Sequence, residues 1–211
     1  MNIFVSVGST STPQQEEFVR AVEERLQAEG LVPQTVGRNV FSADSPFAAV
    51  TTLLDNCQGV VVIALERLYI QVGSEKRGGQ SESGIGNLKI ATPWNQIEAT
   101  MGYARKLPLL VLVEDGVRAD GLLEKGLDWY VQTVTLTRES LNTAIFNGVL
   151  ASWKQKMTAT PHRQALPTVQ PNEMTVAQLL GALKPAQLWS TLAALAVALA
   201  GAFALGAKLF P

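Results

Sequence analysis

Apolar positions over residues 1–157 switch repeatedly between a period near two and a period near 3.6. The first stretch, "NIFVSV" at 2–7, alternates and then runs apolar, as a central strand does. It is followed by "TPQQEEFVRAVEERLQAEG", in which Phe18, Val22 and Leu26 share one helical face with Val19 beside it. Pro13 near the start, acids in the first turns and Gly30 at the end mark the limits of that helix. "LVPQTVG" predicts a short second strand. "SPFAAVTTLLDNCQG" predicts a second helix with Ser45 as N-cap and Pro46 at its first position. The β-branched run "VVVIAL" is a strand covered on both faces. "TPWNQIEATMGYARK" is a third helix, "PLLVLVE" a fourth strand, "YVQTVTL" a fifth, and "RESLNTAIFNGVLASWKQKM" a last helix.

This alternation predicts an α/β fold: a flavodoxin-like doubly wound parallel sheet of about five strands. Right-handed crossovers then put functional loops at the carboxyl ends of the strands. Residues 71–91, "QVGSEKRGGQSESGIGNLKIA", interrupt the pattern with glycine, serine and charge, and read as a flexible insertion. Beyond the domain, 158–173 is a Pro-rich linker and 174–184 a short amphipathic helix. Residues 185–208 read as a transmembrane helix: Pro185 to Ala207 contains no charged side chain. At about 1.5 Å per residue it can cross a hydrocarbon core of about 30 Å. Trp189 near one end and Lys208-Leu209-Phe210 at the other suit interfacial anchoring. Ala194, Ala198, Ala202 and Gly206 form a small-residue face that favours helix association. The expected topology is a single C-terminal anchor with the globular domain in the cytoplasm.

Charge changes this picture only by exclusion. A formal net charge of −1 over 211 residues gives no general attraction to nucleic acid. One cysteine, Cys57, and one histidine, His162, leave no internal disulfide, no thiolate/imidazole zinc site and no well-placed Ser/His/Asp triad.

Candidate chemistry gathers at the third helix. Trp94 and Glu98 are four residues apart and share a face. A carboxylate there can stabilise an oxocarbenium-like ribose, and an aromatic face can stack a nucleobase or nicotinamide. Equally, Glu98 fits a solvated acid near a helix N-terminus. Gly8, Ser9 and Thr10 follow the first strand and can cradle a phosphate, although they form neither a G-x-G-x-x-G nor a Walker A motif. Arg38 and Asn39 stand in the loop after the second strand, where a cation can meet a phosphate. Asn95, beside Trp94, completes the candidate ligand-binding set. Glu66-Arg67 and Glu114-Asp115 belong on the same rim.

"IFVSVGS", "DNCQGVVVIALER" and above all "WNQIEATMGYARKLPLLVLVEDG" resemble a TIR domain, with Trp94 and Glu98 matching its W-x-x-x-E pattern. The same helix resembles nucleoside deoxyribosyltransferase-like proteins. The resemblance implies catalysis by Glu98 on the N-glycosidic bond of NAD or a related nucleotide, with no further cofactor. It also implies a homo-oligomeric, membrane-anchored antiphage effector in bacteria. The alternative is a non-catalytic sensor that binds a nucleotide messenger and disturbs the membrane through clustered tails.

Overall fold

The computed structural model describes residues 1–159. In chain order these form β1 (Asn2–Val7), α1 (Pro13–Ala28), β2 (Val32–Gln34), α2 (Pro46–Asp55), β3 (Gly59–Ala64), β4 (Leu68–Glu75) and β5 (Ser83–Ile90). There follow α3 (Pro93–Ala104), β6 (Leu109–Glu114), β7 (Tyr130–Val134) and α4 (Ala144–Ala159), with short 3-10 turns at Gly121–Leu123 and Arg138–Asn142. The main sheet is wholly parallel, in the order β2-β1-β3-β6-β7. This order is consistent with the flavodoxin-like parallel sheet of about five strands anticipated from the alternation.

Burial explains why the strands sit where they do. Every residue of β3 is buried, so an uninterrupted apolar run is what both faces require. The pleat of β1 divides its side chains between two cores. Ile3 and Val5 pack with α1 and α4 residues such as Phe18, Phe146 and Trp153. Phe4 packs on the other face with Val50 and Leu54 of α2 and Ala99 of α3. Helix starts are chemically marked: Thr12 and Ser45 accept from the N–H groups of Gln15 and Ala48, and Thr92 caps α3 ahead of Pro93.

Three expectations need correction. Most of residues 71–91, expected as a loop, belong to an antiparallel hairpin, β4–β5, paired from Leu68↔Ile90 to Glu75↔Ser83. Its two faces differ in chemistry. Leu68, Ile70, Val72, Leu88 and Ile90 lie on one, while Tyr69, Gln71, Glu75, Asn87 and Lys89 lie on the other. The polar face holds the hairpin to the domain: Arg118 bonds Glu75 at 2.6 Å and Lys89 bonds Glu66 at 2.9 Å. Second, the last helix is broken. A 3-10 turn covers Arg138–Asn142, and Thr143 restarts the chain by accepting from the Phe146 N–H at 3.1 Å. Third, α4 continues to Ala159, so the linker begins later than 158. The expected linker beyond that point, the amphipathic helix at 174–184 and the transmembrane helix at 185–208 lie outside the described residues. Among the described residues no helix is long and apolar enough to cross a membrane.

Candidate functional site

The residues Trp94, Glu98, Met101 and Arg105 recur every three or four positions along α3 and so form one stripe. Two contacts identify what that stripe faces. At its top the Trp94 ring lies 5.3 Å from the Phe47 ring of α2. At its foot the Arg105 guanidinium bonds Asp55 of α2 at 2.7 Å. Glu98 therefore lies in the seam between α2 and α3, one turn below an aromatic pair. Trp94 is 38% and Phe47 53% exposed, so the pair forms the outer lip of the seam while Glu98 is half-buried beneath it.

The floor of the seam is polar at one point. Ser6 on β1 and Asn95 on α3 are both completely buried. Asn95 Nδ2 donates to Ser6 Oγ at 3.0 Å and to the Ser6 carbonyl at 3.3 Å. Burial pushes the Glu98 carboxyl up to about 7, a rise that the Ser6 hydroxyl opposes in part. A carboxyl raised in this way by burial is the kind of group that functional sites often hold.

The remaining candidates are placed as follows. Gly8 ends β1 on the pleat face of Phe4 and Ser6, and a Cβ there would sit 3.0 Å from Thr92 Cγ2. A side chain there would crowd Thr92 at the start of α3, which would have to give by a few tenths of an ångström. Ser9 accepts from Arg67 at 2.8 Å, and Thr10 donates to Glu16 at 2.8 Å. Arg38 is engaged by two acids, bonding Glu16 at 3.0 Å and Glu23 at 3.4 Å. The Arg38 bond, then that from Thr10, holds the Glu16 carboxyl down at about 2. Asn39 closes its own turn, accepting from the Thr35 N–H at 2.7 Å and donating to the Pro33 carbonyl at 3.0 Å. The structure therefore brings Trp94, Asn95 and Glu98 together with the end of β1. It gives Arg38 and Asn39 local partners instead of an open position.

Sequence reasoning passed over Ser6, Phe47 and Gln15. Ser6 looks like an ordinary strand residue, and Phe47 like a core position of α2. Gln15 is buried and ties three loops: it accepts from the Ser11 N–H and donates to the Glu66 carbonyl and the Glu114 carboxylate. Glu114 also accepts from the Glu66 N–H at 2.8 Å, so this carboxylate laces the ends of β3 and β6 together. Cys57 is buried and its thiol is pushed up to about 12, which makes it unreactive. A cavity of about 610 Å³ opens at the far end of α3, between Tyr103, Lys106 and Trp129, away from Glu98. Among the described residues no cluster of His, Cys, Asp or Glu could hold a metal ion.

No family model matches the chain, and no curated protein matches it. Among solved structures it is similar to the CMP N-glycosidase BcmB of Clostridium botulinum, with a TM-score of 0.44 and 11% identity. That match covers 72% of this chain and 99% of the other.

Proposed function

We propose that the described domain is a TIR-like nucleotide N-glycosidase, in which Glu98 is the catalytic carboxylate and Trp94 with Phe47 receives the base. The observation that carries this reading is the environment of Glu98. A carboxyl one turn below an exposed aromatic pair, in a seam closed underneath by buried polar groups, ionises near neutral pH. Its anion can face C1′ of a ribose as the glycosidic bond lengthens and positive charge develops there. Water then adds to C1′ and gives up a proton, leaving a C1′ hydroxyl on the phosphate-bearing ribose and the free base.

The chemistry of the seam favours one class of leaving group. Among the described residues no other charge contributes to the Glu98 shift, and in this reading Glu98 works as a single carboxylate. A base that is already cationic on nitrogen, as nicotinamide is in NAD, takes the bonding electrons and leaves neutral without a proton. NAD-like substrates therefore suit a site with a single carboxylate better than neutral nucleosides do. The apolar segment 185–208 supplies a membrane anchor in this proposal, and its small-residue face supplies self-association; both rest on sequence alone.

Purified full-length protein, incubated in detergent with NAD and a panel of nucleotides, tests the reading by mass spectrometry of the products. The wild type is expected to release nicotinamide, and Glu98→Gln to lower that rate by at least about 100-fold while remaining folded. Unaltered NAD and nucleotides in the wild-type reaction would defeat the enzyme reading and favour ligand sensing without turnover.

A further inference from the structure

The helices that follow β1 and β3 pack on opposite faces of the sheet. Phe18, Val22 and Leu26 of α1 share a core with Ile3 and Val5, whereas Ala99 of α3, the first helix after β3, packs with Phe4. β1 and β3 are neighbours, in register from Ile3↔Gly59 to Val7↔Ile63. Where adjacent parallel strands send their helices to opposite faces, a crevice opens beyond their carboxyl ends, and open α/β sheets bind ligands there. Ser9 follows the end of β1 and Arg67 follows the end of β3. The Arg67 guanidinium donates to Ser9 Oγ at 2.8 Å, so the two side chains meet across that crevice.

The charge on Arg67 stands apart from the acids around it. Arg20, Arg25, Arg38, Arg105, Arg118 and Arg138 each pair with a carboxylate. Arg67 bonds a serine instead, although Glu66 precedes it and Glu114 ends the next strand of the sheet. Those acids have other partners. Glu66 binds Lys89 at 2.9 Å, and Glu114 accepts from the Glu66 N–H at 2.8 Å and from Gln15 Nε2 at 3.3 Å. Arg67 and Ser9 are both exposed. A guanidinium has five N–H donors, so one bond to a hydroxyl leaves most of its fork for an incoming anion. Ser9 accepts in this contact, which leaves its own proton for a second anion oxygen.

The crevice adjoins the start of α3 from both sides. The Arg67 N–H donates to the Ile90 carbonyl at 2.9 Å, two residues ahead of Thr92, the cap of α3. Gly8, next to Ser9, approaches the same threonine, where a Cβ would sit 3.0 Å from Thr92 Cγ2. Trp94 and Glu98 belong to the first turns of the helix that Thr92 opens. We propose that Arg67 and Ser9 form a phosphate-binding site at the β1/β3 crevice, which takes the 5′-phosphate of a nucleotide whose ribose lies against Glu98. The idea rests on the N-glycosidase reading and narrows its substrate class to phosphorylated nucleotides over nucleosides.

The test uses the full chain in detergent, carrying Glu98→Gln so that bound nucleotide is not consumed. Nicotinamide mononucleotide and nicotinamide riboside differ only in the 5′-phosphate. Calorimetry is expected to find the mononucleotide bound at least about tenfold more tightly. Adding Arg67→Ala should abolish that preference. Arg67→Lys, which keeps the charge without the fork, should restore part of it. Arg77→Ala, which removes a cation at the exposed hairpin tip, should leave it intact. Inorganic pyrophosphate gives a readout that needs no base: its ³¹P resonance should broaden with the Arg67 protein and stay sharp with Arg67→Ala. No preference for the mononucleotide, or pyrophosphate bound equally without Arg67, overturns the phosphate site while wild-type turnover still decides the glycosidase reading. An Arg67-dependent preference, in a protein whose wild type cleaves no nucleotide, keeps the phosphate site and overturns only the glycosidase reading.

Discussion

Glu98 and Glu16 show how one residue type serves two opposite ends, according to what surrounds it. Arg38 and Thr10 stabilise the Glu16 anion, so Glu16 contributes stability above the ordinary carboxylate value of 4.5 that is lost as pH falls toward 2. Glu98 behaves in reverse. Burial raises its folded value to about 7, so between 4.5 and 7 the folded chain holds a proton that the unfolded chain has released. Stability therefore falls as pH rises through that window, by on the order of 3 kcal/mol at most. Glu98→Gln retains the shape without the charge. It should raise the melting temperature relative to wild type at pH 8 and give no gain at pH 4; an equal gain at both would contradict the burial argument. The position of Glu98 was legible from its spacing to Trp94, because two residues four apart on a helix share a face whatever the tertiary fold. Ser6 was not legible. Its partner Asn95 stands 89 positions away, and nothing in "IFVSV" signals a hydroxyl that will be buried against a helix. Arg38 and Asn39 were legible as a polar loop, but their partners were not. Glu16 and Glu23 lie on α1, and only the folded chain brings that helix beneath the loop.

At the scale of elements, the parallel strands and their helices follow from periodicity, whereas the β4–β5 hairpin does not. Gly73, Gly84 and Gly86 dilute the alternation that marks a strand, and "KRGGQSE" at its tip has the composition of a loop. What makes the segment a hairpin is attachment at its base and along one face. The Arg67 N–H donates to the Ile90 carbonyl, Arg118 N–H to the Lys89 carbonyl, and the Arg118 side chain reaches Glu75 and Asp120. An isolated two-stranded hairpin is at best marginally stable, so these ties decide how firmly it is held. Arg118→Ala should leave the melting of the domain nearly unchanged, because exposed ion pairs add little. It should nevertheless speed tryptic cleavage at Lys76 and Arg77, which lie in the exposed tip. Equal cleavage rates in both proteins would show that backbone pairing alone holds the hairpin. The opposite face, with Val72 83% exposed, leaves an aliphatic surface.

The boundary of the whole domain is set by packing, and it falls later than composition suggests. The sequence places the change from helix to linker at 158, where "TATPHRQALP" begins. Yet Met157 is buried, and Trp153 and Met157 press on Gly59 of β3, which has no side chain to obstruct them. A Cβ on Gly59 would sit 2.5 Å from Met157 Sδ and 2.8 Å from Trp153 Cζ2. α4 thus closes the core formed by α1, β1 and β3 with its last turn, and Trp153 Nε1 secures it by donating to the Pro108 carbonyl at 2.9 Å. A chain cut after Ala159 keeps every one of these contacts, whereas a chain cut after Lys156 removes a buried methionine side chain worth about 2–5 kcal/mol. Chemical denaturation should therefore find the longer truncation clearly more stable than the shorter one. Detergent partitioning of the same set tests the proposed anchor: both truncations should remain in the aqueous phase while the full chain enters the detergent. Similar stabilities for the two truncations would show that α4 contributes nothing through its last turn. A full chain found in the aqueous phase would remove the membrane from the proposal while leaving the Glu98 seam untouched.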